Sequence, residues 1–458
     1  MGARGGSRGL VAGAGAVRLP AAPGTPMMGY GRREGAARGE HDPLHARALY
    51  LRGGGELLLV ECEVCLIAPA QAREVRERLA RRTGVAAERI AVGCIHTHSG
   101  PDTGLGALLA GRPAPEHVAP VLDAAVEAGL RAHAAAAPAR LGSGCGEVHI
   151  GRNRRREGGP LDPTLLVVRV DRADGVPLAV LYLHGCHPTA LGHDNLLYSA
   201  DWPWAAGQAL AAAFPGATPI FALGAHADVD PRTRGLLDLA VAGQSLGVGF
   251  EETAALGREV GEEAVRVAAA IETRSDAPVG AAAARVALPV HREAAGEREA
   301  ALAALDLPAG TNVRTAELYR LEHERTAHLP AAERRERIAR VRLYLRNRTA
   351  RRFAFGAAPP VEAQVLRLGA VRLAAFPAEP TVDVGLDWRA RLGGAPEAAV
   401  LAIANGWLRY LPHPRNFEEP GAGEKYEILQ STFTPDAATR LLDLAEELDA
   451  VLTRELAA

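Results

Sequence analysis

Apolar positions along the chain repeat either about every two residues or about every 3.6 residues, which predicts strands and helices that are intermixed throughout. Short apolar runs at 90–95, 165–170, 179–183 and 218–223 are typical of buried strands, and an Asp174-Gly175 turn joins the second run to the third. Apolar side chains at helical spacing predict helices in the segments between the strands. The predicted helices cover 70–83, 116–137, 203–214, 251–271 and 435–457.

Further apolar runs extend this pattern over nearly the whole chain. Strands are predicted at 10–17, 281–290, 361–376 and 399–404. The charge-dense segment at about 292–351 predicts a solvated helical insertion between two of these strands. We therefore expect an α/β fold: one large domain, residues 1–458, with a core of mixed or stacked β-sheets flanked by helices.

Four of the apolar runs end in histidine or carboxylate side chains. Ligands of sheet proteins gather where the carboxyl ends of strands meet, so we expect a site at this edge. The strand ends carry HTHSGP at 96–101, His184 with His187, His226 with Asp228 and Asp230, and Glu379.

The histidines of the first strand end have the spacing of metal-binding side chains. Because side chains alternate along a strand, period two predicts His96 and His98 on one face. His96, His187 and Glu379 would supply two imidazoles and a carboxylate, a known catalytic zinc set, and zinc would activate a water molecule. The guanidinium of Arg154 could hold an anionic or carbonyl oxygen.

Composition excludes several functional classes. The chain of 458 residues has a formal net charge of −2 and only 4% aromatic residues, which argues against a nucleic-acid partner. No apolar run reaches the ~18 residues of an integral membrane segment. Five cysteines make no disulfide framework, and Cys62 and Cys65 are interpreted as buried thiols of a cytoplasmic protein. The run at 10–17 is interpreted as a first strand, with a cleaved signal as the alternative.

Several segments, in this order along nearly the whole chain, resemble the neutral/alkaline non-lysosomal ceramidase family. HTHSGP is the most specific of them, and the others gain weight together. The matching segments are 24–31, 39–48, HTHSGP at 96–101, Asn153-Arg154, 187–189 followed by 199–201, Pro377-Ala378-Glu379, and Asn405 to Tyr410 with the later Tyr426.

The resemblance implies a zinc-dependent hydrolase of a linear amide bond in N-acyl-sphingosine or another N-acyl amine, a small-molecule or lipid-like substrate. It implies that Zn²⁺ is bound by His96, His187, Glu379 and Tyr410. It also implies that His98, Arg154 and Tyr426 surround the scissile amide. His184 and Asp201 are expected to contact the metal-binding residues and fix their orientation without binding the ion themselves. The oligomeric state does not follow from the sequence.

The chain departs from the family pattern at three points, the first of which is that the sequence shows no convincing secretion signal, although ceramide meets such enzymes at membranes or outside cells. Asp230 stands where the family has a serine, and a carboxylate there would repel the acyl or hydroxyl group that a serine accommodates. The chain ends where the catalytic domain ends, so we expect no C-terminal immunoglobulin-like domain. The amide chemistry is therefore better supported than ceramide itself.

Two alternatives remain open. Residues 243–247 match G-x-S-x-G, the turn that carries the nucleophile of serine hydrolases, which would make Ser245 the nucleophile. The preceding residues are rich in leucine and alanine instead of β-branched residues, which favours a chance match. The other alternative is a non-catalytic relative that keeps the fold and binds a metal or ligand.

Overall fold

The computed structural model describes residues 9–30, 33–109, 113–234, 247–290, 326–334, 337, 360–420, 422 and 425–457. The described strands, in chain order, are β1 (Val11–Arg18), β2 (Gly39–Glu40), β3 (His45–Gly53), β4 (Gly55–Cys62), β5 (Ile90–Cys94), β6 (Ala137–Glu147), β7 (Gly151–Asn153), β8 (Thr164–Arg172), β9 (Pro177–His184), β10 (Leu197–Tyr198), β11 (Thr218–Leu223), β12 (Val229–Pro231), β13 (Val279–Ala287), β14 (Pro360–Leu368), β15 (Val371–Ala375), β16 (Glu379–Pro380), β17 (Ala398–Leu401) and β18 (Tyr410–Leu411).

Helices connect and cover these strands. The described α-helices, in chain order, are α1 (Pro69–Thr83), α2 (Leu105–Leu109), α3 (Val118–Ala134), α4 (Trp202–Ala213), α5 (Phe250–Ala270), α6 (Val382–Arg391), α7 (Pro414–Glu418), α8 (Tyr426–Gln430) and α9 (Ala437–Ala457). None of the helices among the described residues combines the length and apolar character needed to cross a membrane. The predicted cytoplasmic location stays a prediction.

Two sheets stack on each other and helices cover their outer faces. The larger sheet has the order β11-β9-β8-β6-β1-β3-β4-β5, and the smaller has the order β13-β14-β15-β17. One apolar cluster joins leucines of both sheets, such as Leu59 and Leu373, and so fills the space between them. Two further clusters lie between the sheets and the helices. The predicted α/β class with stacked sheets and flanking helices is confirmed.

The segment that follows β17 joins the two edge strands of the larger sheet. The N–H of Ala402 donates to the carbonyl of Leu223 in β11 at 2.8 Å, and the N–H of Asn405 donates to Val92 in β5 at 2.7 Å. The Asn405 side chain also accepts from the Val92 N–H at 3.0 Å. The carboxyl ends of β5 and β11 are therefore held beside the smaller sheet, although they lie at opposite edges of the larger one.

Glycines let helices approach the larger sheet closely. A Cβ atom on Gly13 of β1 would lie 2.1 Å from the carbonyl oxygen of Ala132 in α3, and one on Gly142 of β6 would lie 2.3 Å from that of Glu272, two residues after the end of α5. Both contacts are far inside van der Waals distance. The glycines that weaken the strand signal in the sequence are thus required by helix packing.

The structure differs from the predicted elements in the run 361–376 and in β6, a strand that the sequence pattern does not predict. The run 361–376 forms a hairpin of β14 and β15, which turns at Gly369 with φ of 65°, instead of one strand. Most of the predicted insertion at 292–351 lies outside the described residues, although 331–334 are helical. The single-domain organisation without an immunoglobulin-like domain stays a prediction.

Glu61, a buried carboxyl group on β4, is expected to make the stability of the protein depend on pH. Neither oxygen of Glu61 has a hydrogen-bond partner among the described residues, and burial raises its pKa well above the usual value. The folded state therefore keeps this proton at pH values where the unfolded chain loses it, so stability falls as pH rises above the unfolded-state pKa. We expect Glu61→Gln to raise the melting temperature at pH 8 and to change it little at pH 4, measured by thermal unfolding at both values. An equal effect at both pH values would contradict this.

Candidate metal centre

His96 lies in a turn that follows β5. The strand ends at Cys94, and His96 adopts a left-handed conformation with φ of 66°. Its N–H donates to the carbonyl of Val64 at 3.0 Å. The prediction that period two places His96 and His98 on one strand face is therefore wrong about the backbone. The turn nevertheless brings the rings together, with 3.2 Å between their Nε2 atoms.

Two further histidines follow the parallel strands β9 and β11. His187 comes three residues after β9, and its N–H donates to Val229 at 3.0 Å. His226 comes three residues after β11, and its N–H donates to the carbonyl of Pro380 at 3.1 Å. Because these two strands pair in parallel, their carboxyl ends carry both histidines to the same place.

Glu379 enters from the smaller sheet. It begins β16, which pairs in parallel with β18 so that Glu379 lies opposite Tyr410. One carboxylate oxygen, Oε1, accepts a hydrogen bond from the Trp407 indole at 2.7 Å. This bond fixes the carboxylate, so that Oε2 faces the histidines.

Three imidazole nitrogens and one carboxylate oxygen converge on a common point. The distances from Glu379 Oε2 to the Nε2 atoms are 3.3 Å for His96, 3.6 Å for His187 and 3.7 Å for His226. All four side chains are at least 97% buried. Candidate ligand atoms of all four lie within 4.8 Å of one another. This donor set fits a divalent metal ion such as zinc, which prefers imidazole and carboxylate ligands.

Main-chain carbonyls hold all three rings in the orientation that a metal ligand needs. A carbonyl can only accept, so each Nδ1 carries the proton and each Nε2 can present its lone pair inward. The Nδ1 to carbonyl distances are 2.9 Å for His96 to Cys65, 3.0 Å for His187 to Val229 and 2.9 Å for His226 to Gly224.

The electrostatics of the cluster follow from burial and from the close approach of its members. Burial alone would raise the pKa of Glu379, but the neighbouring imidazoles, His96 above all, hold it well below its usual range. Burial, aided by the neighbouring His187, lowers the pKa of His226 to about 3. Burial also lowers the pKa of His187. Burial alone would lower the pKa of His96, but Cys65 and Glu379 raise it well above its usual value. At neutral pH the cluster therefore holds a carboxylate, a protonated His96 and two neutral imidazoles, and a bound metal ion would displace the extra proton of His96.

His98 lies at the mouth of the cluster and is held by the loop at 29–30. The Tyr30 ring meets the His98 ring edge-on at 4.7 Å between centroids. Gly29, with φ of 113°, lies under the same ring, where a Cβ atom would come within 2.4 Å of His98 Cγ. The loop therefore fixes the ring of His98 while its Nε2 faces that of His96.

Arg154 lies beside the cluster and its charge is compensated by two carboxylates. It donates from Nε to Glu427 at 2.8 Å and from Nη1 to Asp230 at 3.1 Å. Its third nitrogen lies 3.5 Å from the hydroxyl of Tyr410, and its guanidinium lies 5.4 Å from the centroid of the Tyr426 ring. Arg154 is thus brought together with Tyr426, which the resemblance places with it around the amide, and with Tyr410, which the resemblance makes a metal ligand; both roles stay predictions.

Asp201 and Trp202 fix the backbone of the loop that carries His187. Asp201, with φ of 64°, accepts hydrogen bonds from the N–H groups of Ala190, Leu191 and Trp202. The Trp202 indole in turn donates to the carbonyl of His187 at 3.0 Å. Asp201 therefore supports the loop that carries His187.

Three further predictions from the sequence concern His184, the two cysteines and Ser245. The Nδ1 atom of His184 lies 3.1 Å from the carbonyl of Thr164. Cys62 and Cys65 are buried free thiols, and Cys65 Sγ lies 3.6 Å from His96 Nδ1. Ser245 lies outside the described residues, so the serine-hydrolase alternative stays untested.

His226 is the residue that the sequence interpretation did not assign. It follows the apolar run 218–223 after a glycine, the same order of strand, glycine and histidine that precedes His187. That repeated pattern was the available signal. The ligand set implied by the resemblance already has four members and gives this histidine no role.

Comparisons with known proteins find similarity to ceramidases. Residues 20–214 match the family model for neutral/alkaline non-lysosomal ceramidase, N-terminal. A neutral ceramidase of Mycobacterium tuberculosis (strain ATCC 25618 / H37Rv) is 28% identical over 200 residues, which are 38% of this chain and 31% of that protein. The match therefore spans about a third of the length of this curated relative.

Two solved structures share the fold. One is described as a ceramidase complexed with C2 and the other as neutral ceramidase from Pseudomonas aeruginosa, with TM-scores of 0.71 and 0.72. Each is 19% identical to this chain and covers 97% of it, while this chain covers 75% of each. The predicted resemblance is confirmed.

Proposed function

Because the chain resembles neutral/alkaline non-lysosomal ceramidases in sequence and fold, we propose that it is a zinc-dependent hydrolase of a linear amide bond. One observation carries the proposal: buried imidazoles and a carboxylate converge on one point. Their Nε2 atoms and Oε2 face that point, while their Nδ1 atoms and Oε1 are held by hydrogen bonds to the surrounding protein. Such preorganisation is costly to bury unless an ion completes it.

His96, His187 and Glu379 would hold the ion. When bound, zinc would polarise the amide carbonyl and lower the pKa of a water molecule to about 7. The main-chain and indole hydrogen bonds described above keep these side chains in place before the ion arrives. The resemblance makes Tyr410 a fourth ligand, and its position opposite Glu379 supports a role beside the ion.

His98 and the Arg154 group would act on the substrate. The Nε2 atom of His98 lies 3.2 Å from that of His96, beside the proposed ion, and we assign His98 the protonation of the departing amine. Tyr426 stacks on the guanidinium of Arg154, and its hydroxyl would stabilise the developing oxyanion. Because Arg154 already binds two carboxylates, we assign it the positioning of Tyr410 and Tyr426.

The proposed substrate is N-acyl-sphingosine or another N-acyl amine. The relatives described as ceramidases support this class, although the match to the curated relative covers only part of that protein. The carboxylate of Asp230, in place of the family serine, binds Arg154. Its charge is therefore compensated within the protein, which leaves the position compatible with a neutral amide.

Metal removal tests the proposed function. We expect the purified protein to contain about one zinc ion per chain, by elemental mass spectrometry, and to hydrolyse a short-chain N-acyl-sphingosine or a simpler N-acyl amine. Dialysis against a chelator should abolish turnover and added zinc should restore it. A control incubated with a fluorophosphonate should keep its activity. Full turnover by the zinc-free protein, or inhibition by the fluorophosphonate, would overturn the proposal.

A further inference from the structure

We propose that His226 is a direct metal ligand, so that three imidazoles and one carboxylate hold the ion in this chain. The inference rests on the proposed function and deepens it, because it changes the ligand set implied by the resemblance. That set contains two histidines, Glu379 and Tyr410, and gives His226 no role.

Distance does not separate His226 from the accepted ligand positions. Its Nε2 atom lies 3.7 Å from Glu379 Oε2, against 3.6 Å for His187 Nε2. Its ring centroid lies 4.5 Å from that of His187 and 5.2 Å from that of His96. An ion placed between Glu379 and His187 would therefore also face His226.

Hydrogen bonding gives His226 the same orientation as the two other rings. Its Nδ1 atom lies 2.9 Å from the carbonyl of Gly224, which leaves Nε2 as the inward atom. That atom has no hydrogen-bond partner among the described residues, and the side chain is completely buried. An unsatisfied polar atom at this depth destabilises the folded protein, and a bound ion would remove that destabilisation.

The backbone around His226 is tied to the strand that carries the carboxylate ligand. The N–H groups of His226 and Ala227 both donate to the carbonyl of Pro380, the residue after Glu379, at 3.1 and 2.9 Å. The two side chains are therefore fixed relative to each other across the two sheets. This is the rigidity expected of neighbouring metal ligands.

The set of four donors is complete without Tyr410. The hydroxyl of Tyr410 lies 3.5 Å from Arg154 Nη2, on the side of the cluster that carries Tyr426. His226 thus supplies a fourth protein donor, and zinc, which can accept five ligands, would still have room for the reacting water. Imidazole-rich sets of this kind suit zinc and also copper, iron and nickel, so the ion itself must be measured.

The number of imidazoles around the bound ion tests the inference directly. X-ray absorption of the zinc-loaded wild-type protein should fit three imidazoles in the first shell, and that of His226→Ala should fit two. Competition with a chromophoric chelator should show that His226→Ala weakens zinc binding about 100-fold or more. The matched control is His133→Ala, the same substitution in helix α3 outside the cluster, which should keep zinc affinity within about threefold of wild type.

The outcomes separate the inference from the function on which it rests. Two imidazoles in the wild type, or unchanged affinity in His226→Ala, would overturn the ligand assignment while leaving the zinc hydrolase intact. A wild-type protein that binds no zinc would overturn both. The wild-type count needs no variant, and circular dichroism of His226→Ala and His226→Asn in chelator shows whether each variant folds.

Discussion

Replacing Glu379 with alanine is expected to abolish zinc retention and amide hydrolysis together. Glu379 Oε2 is the only anionic atom at the point where the imidazole Nε2 atoms converge, within the described metal cluster. Its loss removes the charge that favours a divalent ion over water. A metal ion contributes several kcal/mol to such a reaction, so turnover should fall on the order of 1,000-fold or more. Elemental analysis and turnover of an N-acyl amine measure the two effects.

Glu379→Gln is the matched control for shape. The amide keeps an oxygen that can accept from the Trp407 indole, which Glu379 Oε1 does at 2.7 Å. The substitution therefore removes only the negative charge of the side chain. We expect this variant to fold with wild-type stability in chelator and still to lose zinc and activity. Wild-type zinc content in both variants would show that the ion, if present, binds elsewhere.

The elements of the fold were predictable because their apolar periods were clear. Helix α3 and strands β9 and β11 lie within a few residues of their predicted bounds, since buried runs bounded by turns leave few alternatives. Strand β6 was missed because its sequence, APARLGSGCGE, is rich in glycine. Those glycines serve the packing of a helix that a local pattern does not reveal.

The metal centre was partly predictable for a related reason. Strand ends that carry histidine were visible in the sequence, and parallel pairing brings such ends together. Two features depend on tertiary structure alone. The left-handed turn at His96 is set by its bond to Val64, and the nearness of His226 to Glu379 is set by Pro380. Neither contact has a signature in the residues around it.

Replacing Arg154 with methionine is expected to destabilise the protein strongly while leaving the metal ligands in place. The side chain is 7% exposed and binds Asp230 and Glu427, which are themselves buried. Burial alone would lower the pKa of Arg154, but these carboxylates raise it well above its usual value, so the guanidinium is charged. Removal of one partner from such a cluster costs about 3–5 kcal/mol, because the remaining charges stay buried. Chemical unfolding measures this loss.

The triple variant Arg154→Met, Asp230→Asn, Glu427→Gln separates charge compensation from a role in the reaction. Its neutral side chains have nearly the original shape, so most of the lost stability should return. Zinc content should equal that of the wild type in both variants, since Arg154 is not a ligand. Turnover should stay low in the triple variant, because Tyr410 and Tyr426 have lost the cation that they contact at 3.5 Å and 5.4 Å. Recovery of wild-type turnover would assign Arg154 a purely structural role, and wild-type stability of Arg154→Met would contradict the charge argument.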